Sequence, residues 1–133
     1  MSKIKKGVQI LAVTKNKAGM LAEVAQALAA AKVNIQAISA YAIENQAYFR
    51  ILTSDHTKAK AALTAKGYQT SLQEVLMLEL PNRVGALEQA GQKLKKAQID
   101  LSYIYGTTCS AQEDCLLVLN SDNNEQAIKA LAG

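Results

Sequence analysis

Two six-residue stretches carry the same chemical pattern 66 positions apart: Asn16-Lys17-Ala18-Gly19-Met20-Leu21 and Asn82-Arg83-Val84-Gly85-Ala86-Leu87. Each lies between an apolar, strand-like run and a helical pattern. A glycine at such a junction lets the backbone turn sharply into the helix, and the first helical N–H groups have no partner within the helix. Those donors suit a carboxylate. The helix dipole adds favourable potential for a negative group, and an Asn side chain can donate or accept beside it. The twelve residues are therefore candidate ligand contacts, and a capped turn with no ligand is the alternative for each loop.

A second pair of polar residues repeats with them. From Asn16 to Asn34 and from Asn82 to Asp100 the spacing is 18 residues, enough for one intervening helix, and Val33-Asn34-Ile35 is echoed by Ile99-Asp100-Leu101. Asp100 suits an ammonium group and Asn34 could donate or accept. Together with carboxylate-binding N–H groups they describe a free amino acid. Each opens the strand after a helix, so it need not meet the loop of its own unit and could instead meet one across a unit boundary. The alternative for Asn34 and Asp100 is a turn-forming Asx residue.

Catalysis needs an activated nucleophile, a base or a metal. The chain offers one histidine, His56, no Ser-His-acid spacing and no G-x-x-x-x-G-K phosphate loop. No enzyme activity and no cofactor are expected. Cys109 and Cys115 flank a short polar stretch that reads as a hairpin loop, and with so few histidines they do not form a metal site. They are expected to be thiols packed as small apolar residues, with a disulfide as the other possibility.

Half of the 133 residues are apolar, enough for a real core. The net charge of +4 is unevenly spread: residues 1–70 carry ten Lys/Arg against three Asp/Glu, and residues 71–133 carry five against eight. A nucleic-acid partner would find only the first half favourable, and the charges read more simply as helix solvation. Lys3, Lys5 and Lys6 fall on an expected loose terminus. No apolar run is long enough to cross a membrane and no secretory signal opens the chain, so a cytoplasmic protein with no membrane partner is expected.

The elements that hold the two loops follow from periodicity. Gly7 to Thr14 reads as a strand, and Ala18 to Lys32 as an amphipathic helix with Leu21, Val24, Ala25 and Leu28 on one face. Asn34 to Ile43 and Ala47 to Thr53 form a hairpin turning at Glu44-Asn45-Gln46. Ser54-Asp55 caps a second helix that Gly67 ends, and Tyr68 to Val75 is a fourth strand. The second half repeats the order: a strand from Val75 to Leu80, a helix from Gly85 to Ala97 with Leu87, Ala90 and Leu94, strands from Asp100 to Cys109 and Asp114 to Asn120, and a helix from Asn123 to Leu131. This is the split β-α-β pattern, an antiparallel sheet covered on one face by two helices. The fold class is therefore α+β, two ferredoxin-like βαββαβ units over residues 1–74 and 75–133. The second unit lacks an evident last strand, and either Ser2 to Lys6 or a second subunit could fill that edge. Modules of this size are marginal alone and should share an interface or a sheet.

Other proteins with this topology make different demands on the sequence. Acylphosphatases need a glycine-bounded phosphate loop with an arginine after the first strand, which is missing here. An RNA-binding platform would use Tyr41, Tyr48 and Phe49, but the RNP1 pattern fails at Gln46 to Ile51, and Tyr48 and Phe49 point to opposite faces. Tyr103 and Tyr105 read as sheet-face or interface residues.

The two loops and the strand starts that follow them resemble a tandem ACT-domain protein over nearly the whole chain. ACT domains are small ferredoxin-like modules that bind amino acids and regulate metabolic enzymes. The resemblance implies sheets joined side by side, helices on one face, and ligand at the interface between ACT units or subunits. It assigns ligand contacts to Asn16, Gly19 and Asn34, and to Asn82, Gly85 and, with a change of residue, Asp100. Where the family often has proline before the glycine, this chain has Ala18 and Val84. The expected function is a non-enzymatic, amino-acid-binding regulatory module with a free amino acid as effector, a homodimer, and a metabolic enzyme as possible partner. An RNA-binding or protein-interaction module on the same fold is the alternative, with nucleic acid the weaker expectation.

Overall fold

A computed structural model of the chain describes residues 3–107 and 113–133. The elements are β1 (Lys3–Lys15), α1 (Met20–Ala30), β2 (Ile35–Ile43), β3 (Gln46–Thr53), α2 (His56–Ala65), β4 (Gln69–Pro81), α3 (Ala86–Lys96), β5 (Leu101–Gly106), β6 (Asp114–Ser121) and α4 (Asn124–Ala132). The class is α+β. The strands follow the order β2-β3-β1-β4-β6-β5. By compactness the chain divides into a first unit, Val8–Gln73, and a second formed by Glu74–Gly133 together with the chain up to Gly7.

In the first unit the strand order is β2-β3-β1-β4. β1 and β3 run antiparallel from Gln9 opposite Leu52 to Lys15 opposite Gln46, and β2 pairs with β3 through Tyr41 opposite Tyr48. Alternation along these strands sends Ile10, Ala12, Ala47, Phe49 and Ile51 to one face. There they pack with Met20, Val24 and Leu28 of α1 and with Ala59 and Leu63 of α2. Phe49 is buried under the helices, so it is Tyr48 that lies on the opposite face. Complete burial of side chains such as Phe49 and Leu28 stabilises by roughly 1.5–3 kcal/mol each. The Asp55 side chain accepts from the Lys58 N–H at 3.1 Å and caps α2, and Gly67, with φ +88°, ends it as expected.

The second unit repeats this construction. Leu76, Leu78 and Leu80 of β4 and Leu119 of β6 face Ala86, Ala90 and Leu94 of α3 and Ala127 and Leu131 of α4. The Asn123 side chain caps α4 by accepting from the Gln126 N–H at 3.1 Å. Among the described residues no strand follows α4. The position beside β4 is taken by the start of β1, whose Ile4 packs against this second core. Lys6 pairs with Glu74 and Glu125 in the same unit.

Several expectations need correction. Lys3, Lys5 and Lys6 are not a loose terminus but the opening of a 13-residue strand, because residues 3–7 complete the second unit. The strands expected at 68–75 and 75–80 are one strand, β4, with no break at Val75. Leu21 and Leu87 were expected on the buried helix faces, yet both are more than half exposed. The buried stripes run instead through Met20-Val24-Leu28 and Ala86-Ala90-Leu94, and the next residue in a helix sits about 100° round from its neighbour. Cys115 is disulfide-bonded rather than a free thiol, and it stands opposite Leu80 in the β4–β6 pairing. Cys109 lies outside the described residues. No helix among the described residues is long and apolar enough to cross a membrane.

Candidate functional site

Both repeated loops join a strand end to a helix start. Gly19 and Gly85 occupy the N-cap positions of α1 and α3 with φ of 90° and 87°, and no side chain caps either helix. The left-handed region costs an L-residue with a Cβ roughly 1–2 kcal/mol, which is why glycine stands at both positions. The turn before each helix closes with the Met20 N–H on the Lys17 carbonyl at 3.4 Å and the Ala86 N–H on the Arg83 carbonyl at 3.3 Å.

Around the first loop lies a cavity of about 670 Å³ within the first unit. Its wall joins the end of β1 (Val13, Thr14, Lys15), Lys17 and Met20 of the loop and helix start, Asn45 and Gln46 of the hairpin turn, and the segment Lys66 to Gln69. Glu23, one turn into α1, completes it. Glu23 is held at both oxygens: the Tyr68 hydroxyl donates to Oε1 at 3.1 Å, and Lys17 Nζ lies 3.4 Å from Oε2. The Tyr68 hydrogen bond, then the Lys17 contact, keeps the Glu23 carboxyl below its ordinary pKa. Partial burial, then the neighbouring carboxylate, raises that of Tyr68. The site therefore presents an ionised carboxylate, a lysine and an uncapped helix start at one opening.

The second loop has its own, smaller cavity of about 310 Å³, lined by Leu80, Pro81, Arg83, Ala86, Gln89, Lys93 and the last residues, Leu131 to Gly133. The correspondence is close. Leu80, Pro81, Arg83, Ala86, Gln89 and Gly133 stand 66 positions after Thr14, Lys15, Lys17, Met20, Glu23 and Gly67. The chemistry differs. Where Lys17 pairs with Glu23, Arg83 Nη2 donates to the neutral Gln89 Oε1 at 3.3 Å. Lys93 Nζ reaches into the same wall, donating to the Gly133 carbonyl at 2.7 Å.

Of the residues singled out in the sequence, Lys17 and Met20 line the first cavity, and Arg83 and Ala86 the second. Asn16 serves the loop from behind: its N–H donates to the Asn45 carbonyl at 2.9 Å and its Nδ2 to the Glu44 carbonyl at 3.4 Å, fastening the hairpin to the helix start. Gly19 and Gly85 set the turns, while Ala18, Leu21, Asn82, Val84 and Leu87 are not among the lining residues. Val84 is fully exposed.

Asn34 lies at the far end of β2 from this site, a strand of nine residues or about 30 Å away. Its backbone N–H donates to Ser54 Oγ at 3.0 Å and its carbonyl accepts from the Ser54 N–H. Asp100 repeats the arrangement with Asp122. Neither joins the loop of its own unit. Glu23, Tyr68 and Lys66 were not foreseen, although the Glu23-to-Gln89 exchange at the repeat offset was a readable signal. No group of three His, Cys, Asp or Glu residues that could hold a metal occurs among the described residues.

Residues 6–132 match the family described as an ACT domain pair, and the chain belongs to that family. Among solved structures, it is similar to a protein from Bacteroides thetaiotaomicron, with a TM-score of 0.89 and 24% identity over 97% of this chain and 88% of that one. It is also similar to the regulatory subunit of aspartate kinase from Thermus thermophilus in its ligand-free form, with a TM-score of 0.65 and 16% identity over 97% and 94% of the two chains. At these identities the likeness establishes the fold. No curated protein matches the chain.

Proposed function

We propose that this chain is a non-enzymatic regulatory module of the cytoplasm that binds a free amino acid at the first loop. The observation that carries the reading is the pairing of Lys17 with Glu23 in the wall of a cavity beside an uncapped helix start. A carboxylate is recognised by Lys17 and the helix N–H groups, and an ammonium by Glu23. Membership of the ACT domain pair family supports the assignment, and the same fold is found in regulatory subunits of aspartate kinase. A partner metabolic enzyme is the corresponding target.

In this reading the working assembly is a homodimer, in which a second copy covers the exposed Leu21 beside the cavity. Ligand then shifts the assembly only by the difference in its affinity for the two states. A thermal-shift screen against the twenty amino acids, with sedimentation at each hit, tests this. A ligand of the native state raises the midpoint at sufficient excess. The shift is expected to disappear in Asn16→Ala, which removes the side-chain bond from the loop to the Glu44 carbonyl. Absence of a shift with every amino acid would overturn the reading, and salt-sensitive binding of single-stranded RNA would replace it with the nucleic-acid alternative. A shift that survives in Asn16→Ala would move the site to the second loop.

A further inference from the structure

The charge around the first cavity is not balanced for a neutral amino acid. Lys15, Lys17 and Lys66 line it against a single carboxylate, Glu23, an excess of two positive charges. Lys17 is in contact with Glu23 and the charge of Lys66 also acts on that carboxylate from further away, but neither Lys15 nor Lys66 makes an ion pair within 4.0 Å among the described residues. The uncapped start of α1 adds a further partial positive charge at the same opening. A neutral zwitterion would leave that excess uncompensated.

We infer that the first cavity is built for an amino acid with a second carboxylate, its ammonium taken by Glu23, its α-carboxylate by Lys17 and the start of α1, and its side-chain carboxylate by Lys15 and Lys66. This rests on the amino-acid reading given above and narrows it. Glu23 is suited to the role because Tyr68 and Lys17 fix both of its oxygens, and an ionised carboxylate retains lone pairs for a further donor. The equivalent cavity of the second unit supplies the internal contrast. Gln89 stands where Glu23 does, so that cavity has no side-chain carboxylate for an ammonium group and should not discriminate amino acids from simple dicarboxylates.

Calorimetric titration of the whole chain with L-aspartate, L-glutamate, L-asparagine, L-glutamine and succinate separates the possibilities. Aspartate or glutamate should bind about tenfold or more tightly than its amide and than succinate, the size expected for one charge-assisted contact. Glu23→Gln should remove about tenfold from the amino-acid affinity while succinate binds at least as tightly as before, because Lys17 is released from its ion pair. Tyr68→Phe, which keeps the charge but frees one Glu23 oxygen, should weaken the amino acid only a few-fold. Circular dichroism on both variants establishes that they fold. Equal affinity for acid and amide would overturn the dicarboxylate class while leaving amino-acid binding intact. An unchanged Glu23→Gln would overturn the role of Glu23. Binding of no amino acid at all would overturn the underlying reading, and this inference with it.

Discussion

Lys6 on β1 donates to the Glu125 carboxylate on α4, 119 positions further along the chain, and its ammonium also lies 3.7 Å from Glu74 at the junction of the two units' share of β4. The start of the chain is thereby fastened to the unit formed by its end. Ile4, two residues earlier on the same strand face, enters the second core.

Removal of residues 1–6 should therefore destabilise the second unit rather than the first. Loss of the Ile4 contribution alone is worth roughly 1–2 kcal/mol for a partly buried side chain. Hydrogen exchange read by mass spectrometry should show faster exchange in Glu74–Pro81, which loses its strand neighbour. Unchanged exchange there would contradict the strand assignment.

The ion pairs set a pH dependence whose sign can be worked out. The hydrogen bond and charge of Lys6 hold Glu125 below its ordinary pKa of 4.5, so its contribution is present above that value and fades as pH falls through the lowered one. Glu23 behaves in the same way. Glu125 in turn raises Lys6 above 10.5, so that contribution is present below 10.5 and fades as pH climbs through the raised value. Lys6 and Glu125 are exposed and Glu23 is half-buried but still in reach of solvent, so the effects are correspondingly small. Glu125→Gln should flatten both limbs of a melting-temperature profile, and Glu23→Gln should flatten the acid limb and remove the part of the alkaline limb that Glu23 imposes through Tyr68.

Gly19→Ala and Gly85→Ala should each cost about 1–2 kcal/mol, read by urea denaturation. No atom would lie within 4 Å of the added methyl group at either site, so the penalty is conformational. Asparagine, which tolerates the left-handed region better, should cost less at both positions. Equal stability of the alanine and glycine forms would mean the turns relax freely.

Gly106→Ala is a different case. Its backbone is not left-handed, but a Cβ would fall 2.7 Å from Leu117 Cδ2 across the β5–β6 pair. That atom is the end of a flexible, partly exposed side chain that can swing aside, so a destabilisation of no more than about 1 kcal/mol is expected. Leu117→Ala in the same chain should relieve part of it, and a double-mutant cycle measures the coupling.

Local pattern was a good guide wherever one residue type decides the outcome. The helix starts at Gly19 and Gly85, the Asp55 cap, the Gly67 stop and the hairpin at Glu44-Asn45 are all short-range chemistry, and each was legible. Leu21 misled because a helix beginning at Ala18 or at Met20 accepts either of two adjacent stripes, and only packing against Ile10 and Phe49 selects Met20-Val24-Leu28. The lysines at 3, 5 and 6 read as a loose terminus because their alternation partners, Ile4 and Gly7, find their neighbours about seventy residues away. The site divided along the same line. Its loop was visible as a repeat, but Tyr68 reaches Glu23 across 45 positions, a contact that sequence spacing does not reveal.

β1 and β4 are each thirteen residues long, and each gives part of its length to one unit and part to the other. During synthesis, residues 3–7 emerge before any of the strand they will neighbour. Val8–Gln73 can close as soon as Gln73 clears the ribosome, while the five residues ahead of it must wait for Glu74–Pro81. Residues 3–7 are thus made before Val8–Gln73 but placed after it, and splitting the gene at the repeat boundary would yield one half with a surplus strand end and another with a gap.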